Sequence, residues 1–514
     1  MTVVVVLYIC NMKRTFYFAL LLFFFFSCQK SNFDTSLPLI NYTDIPDDFV
    51  VIDQPCLNLE RSYLNSFGNY QLNPSEDLYE LCSSNIQKFD RFSTDANGIY
   101  LSDVNGVEVY YPITITQAAA TFHKHYKKTG DLTSRSKFLV LANWLKDNFI
   151  SHGNYGYWYC NQSYSGYNLT GPWPSGFSQG VGLMVMYQAY TITDNIDFLE
   201  ISEKALEGFN YSVDENGITL KEHDLMWQYE EYPSSFSSQV LNGFLFALCG
   251  LNDYFEATGS SKAKTLFEKG VTYLEQNICK YSLFFTSRYN LYSVSPALAN
   301  ATGDGTGDGY HHLHIQQLLW IYMKTKNNIF YEYATNFLEK DLGYYENNDI
   351  GPKILNVDAS YSIVEDGYGP DQLNNGVWSY GNYWSTNKDT TILDIDFGKQ
   401  RNEVNRITLF FTKLYEDIDV RISYYNTSTN EWDFCAQVST SDSTRMQDYY
   451  KTRHFETYIN SWKLNPFNTQ KVKLEIIKDI ETDIIAIREL DFQFNREEDI
   501  STVLADLYNS LNNY

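Results

Sequence analysis

The sequence predicts a multidomain α + β chain: an incomplete (α/α) toroid of helix pairs followed by a β-sandwich. Three observations predict it. Helical segments recur in pairs, and the tight turn inside each pair falls near residues 129, 193, 258 and 326, a period of about 65. Beyond residue 377 the apolar pattern changes to alternation, as in TILDIDFG (391–398). Length and composition allow several cores, because 514 residues exceed one usual domain and 44% of them are hydrophobic.

Taken in order, Lys13-Arg14, the apolar run 16–26 and Ser27-Cys28 have the pattern of a lipoprotein signal. Met12 gives that signal a normal length, and the run is short for a bilayer span. Residues 1–27 are therefore expected as a signal peptide, Cys28 as the acylated residue, and 28–55 as a polar tether. The expected place is the bacterial envelope, with the protein exported and lipid-anchored to the outer membrane. An uncleaved anchor is the competing reading. Cys56, Cys82, Cys160, Cys249, Cys279 and Cys435 show no CxxC or zinc spacing, and Cys56–Cys82 is one candidate disulfide.

A hairpin is expected over 98–111 around Asn105-Gly106. The helix pairs follow as 112–128 with 132–150, 176–193 with 196–211, 236–258 with 261–279, and 313–326 with 329–342. The long connections 151–175, 213–233 and 280–310 lie at the end opposite the tight turns and hold most of the Trp, Tyr, His and acidic residues. The helical domain is bounded at 56–345, a Gly/Asp/Asn-rich connector at 346–375, the sandwich at 376–496 and a helical tail at 497–514.

The formal net charge of −25 argues against nucleic-acid binding, which needs clustered Lys and Arg. Aromatic content is 17%, with 43 Tyr and 9 Trp, side chains whose flat faces suit sugar rings. The densest knot is Trp227, Tyr229, Glu230, Glu231 and Tyr232, followed by Pro233 and a Ser-rich helix start. A glutamate in an aromatic wall has its ionised form desolvated, so its pKa rises and it can take and return a proton. The competing reading is two solvated glutamates on a loop. The Ser-rich start is expected to offer free N–H groups.

YYPITITQAAATFHKHY (110–126), GPWPSGFSQGVGLMVMYQAY (171–190), WQYEEYPSSFSSQVLNGFLFALCGLNDYFEATG (227–259) and GYHHLHIQQLLW (309–320) resemble the D-glucuronyl C5-epimerases. The resemblance covers about 98–326, with the EEYP…VLNG block nearly intact. Only about 45 residues separate the first two segments, so the β-domain that animal members carry there is missing. It implies conversion of glucuronate to iduronate within a heparosan-like acidic polysaccharide. Glu231 and Tyr310 would then be the acid/base pair, with Tyr232 and Tyr289 as further catalytic tyrosines. Tyr111, Gln117, Trp173, Gln179, Trp227, Glu230, Arg288 and His314 would bind substrate. Two departures stand out: Tyr292 replaces an Arg that can hold the substrate carboxylate, and ATGDGTGDG (301–309) lengthens the loop before Tyr310. Arg288 is the substitute cation. Asp304 and Asp308 are candidates for a calcium loop, with a plain Gly-rich loop as the competing reading; no other cofactor is implied, and no oligomeric state is read from the sequence. WSYGNYWST, TILDIDFG, VNRITLFF and AIRELDFQF resemble a discoidin-like (galactose-binding-like) module. The alternatives to epimerisation are a uronan lyase and a surface lipoprotein that binds glycan without turning it over.

Overall fold

The computed structural model describes residues 85–104, 106–235, 237–282, 287–291, 310–340, 353–363, 369–374, 383–413, 415, 418–441, 448–451, 456–478 and 484–495. The expected signal, Cys28, the tether, Cys56, Cys82, Tyr292, Asp304, Asp308 and the tail lie outside them. Cys279 is disulfide-bonded, whereas Cys160, Cys249 and Cys435 are thiols. Among the described residues no helix is long and apolar enough to cross a membrane, and no group of three or more His, Cys, Asp or Glu side chains is placed to hold a metal ion.

Among the described residues eight α-helices form four pairs: α1 Pro112–Thr129 with α2 Leu132–Asp147, α3 Gly176–Thr193 with α4 Ile196–Gly208, α5 Leu241–Thr258 with α6 Ser261–Asn277, and α7 Tyr310–Thr325 with α8 Asn328–Lys340. The tight turns share one device. Gly130, Asp194, Gly259 and Lys326 all stand in the left-handed region and return their N–H to the carbonyl four residues back. Asp131, Asn195, Ser260 and Asn327 then cap the next helix.

The odd-numbered helices pack in a row, α1 on α3, α3 on α5 and α5 on α7. They are the inner helices, and α3 is buried on nearly every face from Gly176 to Ala189. The even-numbered helices are amphipathic. In α6, Ala263, Leu266, Phe267, Gly270, Tyr273 and Leu274 face inward at helical spacing, while Lys262, Lys264 and Glu268 are exposed. Two glycines permit the central contact. A Cβ on Gly250 of α5 would strike the backbone of Gly180 on α3, and a Cβ on Gly180 would lie 2.6 Å from Ala247 Cα.

The expected hairpin forms as Tyr100–Val104 against Val107–Val109. The first two long connections are hairpins in part: Ile150–His152 with Tyr155–Tyr157, Tyr159–Cys160 with Trp173–Pro174, and Thr219–His223 with Met226–Tyr229. They shorten α2 and α4 against expectation. A larger correction concerns α5, which starts at Leu241 and not at 236. Ser237 and Gln239 adopt positive φ of 57° and 52°, which ends any helix there.

The C-terminal part is antiparallel throughout. Its strands are β1 Asn356–Ala359, β2 Trp384–Thr386, β3 Thr390–Phe411, β4 Ile418–Asn426, β5 Glu431–Ser439, β6 Asp448–Lys451, β7 Glu456–Lys478 and β8 Ile485–Asn495. The order is β2-β8-β3-β7-β4-β5, with β1 on β3 and β6 on β7. All eight strands belong to one hydrogen-bonded network. Long β3 and β7 are interrupted by register shifts between Asp396 and Arg406, where bulges bend a strand. The first half of β3 pairs with β1 and β7, and the second with β7 and β8, around a core of Trp384, Phe397, Ile407, Phe411 and Leu474.

Gly250→Ala forces side-chain carbon onto backbone. It is expected to lower unfolding free energy by about 1–3 kcal/mol, read by urea denaturation; unchanged stability would show that α3 and α5 can part without cost.

Candidate active site

Met226–Tyr229 runs beside Thr219–His223 and delivers the acidic pair to the start of α3, where Gly176 N donates to Glu230 O at 2.7 Å. The two glutamates then have different fates. Glu230 is fully buried and its carboxylate accepts from Ser237 Oγ, from Ser238 Oγ at 2.8 Å and from Gln239 N at 3.0 Å. Burial pushes its pKa up to about 7, against those hydrogen bonds. This corrects two expectations. Glu230 has no exposed atom for a substrate, and the Ser-rich donors are taken by Glu230. The same capture draws 237–239 out of the helix.

Glu231 has no such donors. It is 3% exposed, and its Oε2 is buried without a hydrogen-bond partner. Gly243 makes the space, since a Cβ there would overlap Glu231 Oε2. Burial raises the Glu231 pKa to about 8, a hydrogen bond from Tyr232 opposes the rise, and the charge of Glu230 adds to it. A carboxylate that is desolvated and under-bonded is a stronger base than one in water.

Phenols surround it. Tyr232 hydrogen-bonds Tyr111, and its ring stacks on Tyr167 at 4.3 Å with Tyr164 edge-on at 5.1 Å. Trp173 closes this side, 5.7 Å from Tyr232 and 6.5 Å from Tyr111. Tyr289 and Tyr310 lie ring to ring at 4.6 Å and share a hydrogen bond. Burial first, then the charge of Glu231, pushes Tyr310 up to about 12 and holds Tyr289 well above the usual phenol range. Tyr310 as a residue is 44% exposed, at the start of α7, so the pair lies at the edge of the cluster. Cys160, fully buried, feels the same charge.

The structure therefore brings together Glu231, Tyr232, Tyr289, Tyr310, Tyr111 and Trp173. Gln117 is half-buried further along α1. Arg288 is half-buried with an unpartnered Nε. Three expectations fail. Gln179 lines no cleft: it is fully buried and its amide donates to Gly156 O and Ala205 O at 2.8 and 2.9 Å. Trp227 packs in the helical core, with Lys269 Nζ 3.4 Å from its ring centre and Lys221 Nζ at 5.1 Å. His314 is fully buried on Ser287 Oγ at 2.9 Å, and burial drives its pKa well down, so it presents no surface to a ligand.

Sequence reasoning missed Tyr164, Tyr167, Asn290 and Arg91. Asn290 Nδ2 donates to Tyr167 OH at 2.7 Å across 123 residues, and Arg91 lowers Tyr310 by its charge. The only signal for the first two was the aromatic density of the 151–175 connection.

An uncharacterised protein of Methanocaldococcus jannaschii is 25% identical over 260 residues, 47% of this chain and 81% of that one. The D-glucuronyl C5-epimerase of Caenorhabditis elegans is 30% identical over 217 residues, 37% of this chain. That match spans 34%, about a third, of the worm enzyme's length. Among solved structures, the family 32 carbohydrate-binding module of Streptococcus pneumoniae EndoD is 16% identical, covering 28% of this chain and 93% of its own, with a TM-score of 0.21. The family 32 module of Clostridium perfringens NanJ, solved with galactose, is 14% identical over 27% of this chain and 93% of its own, with a TM-score of 0.20. Scores so low carry no argument. The model of the D-glucuronyl C5-epimerase C-terminus matches residues 151–339, the stretch that holds Glu231, Tyr232, Tyr289 and Tyr310.

Proposed function

We propose that the protein is a polysaccharide uronate C5-epimerase acting on a heparosan-like chain, with the helix pairs forming part of an (α/α) toroid. The observation that carries this is the buried Glu231 carboxylate, with one oxygen unpartnered, ringed by phenols. C5 of a uronate bears a weakly acidic hydrogen next to a carboxylate. In this reading Glu231 removes that hydrogen as a proton, and the C–H electron pair spreads into the C6 carboxylate. Tyr310 then gives its phenolic proton to the opposite face of C5. The Tyr289–Tyr310 pair, open to water at Tyr310, returns the lost proton from solvent while Glu231 releases its own. Solvent hydrogen thus enters C5. The surrounding hydroxyls of Tyr111, Tyr232 and Tyr289 stabilise charge building on the substrate carboxylate. An acylated Cys28 on the envelope belongs to the same proposal; labelled palmitate should enter the wild type and not Cys28→Ser.

Tuning sets a trade. At pH 7 a carboxylate with a pKa of about 8 is ionised in about one molecule in ten, which costs about 1.4 kcal/mol. Its greater basicity offsets this in the proton transfer.

Two outcomes test the reading. Proton NMR of the full chain with heparosan in heavy water should show loss of the glucuronate H5 signal from an intact polymer. Glu231→Gln should slow that loss by about 10²–10⁴-fold; undiminished exchange would remove Glu231 from the chemistry, and an alkene proton with chain shortening would mean a lyase. The pH dependence has a definite sign. The base must be ionised, so kcat/KM should rise with pH and level off above about 8. Tyr310 stays protonated up to about 12, so it adds no falling limb below that. A profile already level between pH 5 and 7 would contradict the assignment.

A further inference from the structure

The Tyr289 strap, Ser287 to Leu291, is tied down at every residue. Arg288 N donates to Tyr281 O at 2.7 Å, Leu241 N to Tyr289 O at 2.9 Å, and Leu291 N to Ser238 O at 3.3 Å. Asn290 holds Tyr167 at 2.7 Å. Ser287 makes the tie to α7: its N–H lies 3.0 Å from His311 Nδ1, and its hydroxyl lies 2.8 Å from that nitrogen and 2.9 Å from His314 Nδ1. Ser287 and His314 are fully buried and His311 is 5% exposed.

The hydrogen positions follow from the partners. Phe337 O, 2.9 Å from His311 Nε2, can only accept, so Nε2 carries the hydrogen and Nδ1 is the bare acceptor for Ser287 N–H. The serine hydroxyl is then left to bridge the two rings. Its neighbours in sequence give the bridge a purpose. Tyr289 is two residues after Ser287 on the strap, and Tyr310 directly precedes His311 on α7. A slide of the strap along α7 therefore changes the spacing of the two phenols, now 4.6 Å between ring centres.

We propose that Ser287, gripped by His311 and His314, is a positioning residue that sets the Tyr289–Tyr310 phenol pair, and that the two histidines touch no substrate. The proposal deepens the epimerase reading by assigning the device that holds its acid, but its direct test does not depend on turnover.

The test places 3,5-difluorotyrosine at position 310 of the full chain and follows its ionisation by fluorine NMR, with the same probe at position 126 as control. Fluorination brings the phenol into a measurable pH range. Ser287→Ala keeps the N–H bond and removes the hydroxyl bridge, so the Tyr289 hydrogen bond that favours the ionised phenol weakens. The ionisation midpoint at 310 should rise by about half a pH unit or more, Ser287→Thr should restore it, and the control should not move. An unmoved midpoint at 310 overturns the proposal. If Ser287→Ala unfolds, shown by a changed control, His314→Gln decides by the same measurement, since it leaves the Ser287–His311 bonds intact. With a turnover assay, Ser287→Ala should lower kcat and leave KM unchanged. If the wild type exchanges no uronan, the epimerase reading falls and the fluorine result still stands for or against the bridge.

Discussion

The local structure turns on the burial of one carboxylate. Glu231 sits where water cannot solvate it and where only Tyr232 gives it a hydrogen bond. An ionised group in that state is unstable enough to act as a base and protected enough to keep its proton when protonated. Fitting it there constrains the chain at several points. Position 243 must lack a Cβ, α5 must begin late, and the Tyr-rich first connection must fold over the carboxylate.

Glu230 is the counterpart that makes this arrangement hold. Neighbouring residues on an extended segment point to opposite sides, so one glutamate enters the phenol cluster and the other enters the Ser237–Gln239 turn. The turn is then a fixed platform. Ser238 O and Leu241 N on it carry Leu291 and Tyr289, Gln239 receives the hydroxyls of Tyr273 and Tyr281, and the strap meets α7 through Ser287. Base and acid therefore stand on one hydrogen-bonded frame, although 79 residues separate Glu231 from Tyr310.

The helix pairs were legible because local chemistry repeats at each turn. Gly130 and Gly259 announce a left-handed cap, and Asp194 and Lys326 occupy the same place by period alone. Legibility failed where a distant group overrides local propensity. The 236–240 segment reads as a helix start until Glu230 takes its donors. Gln179 reads as a wall residue, but its amide is spent on the carbonyls of Gly156 and Ala205. Tyr164, Tyr167 and Asn290 meet the site through loop geometry that has no period to read. Alternation announced the strands of the C-terminal part, yet it could not show the register shifts in β3 that let one strand pair with β1 and β7 in its first half and with β7 and β8 in its second.

The proposed chemistry rests on the raised pKa of Glu231, which makes its ionised form a strong base. The direct measurement is the infrared difference spectrum of wild type against Glu231→Gln, followed with pH. Both proteins share the other carboxyl groups, so the band lost in the variant is that of Glu231, beside a difference from Glu230, whose charge is coupled to it. The account predicts a carboxylic acid band at pH 6 that disappears with a midpoint near 8. A midpoint near the ordinary value of 4.5 would show a solvated glutamate and contradict the account.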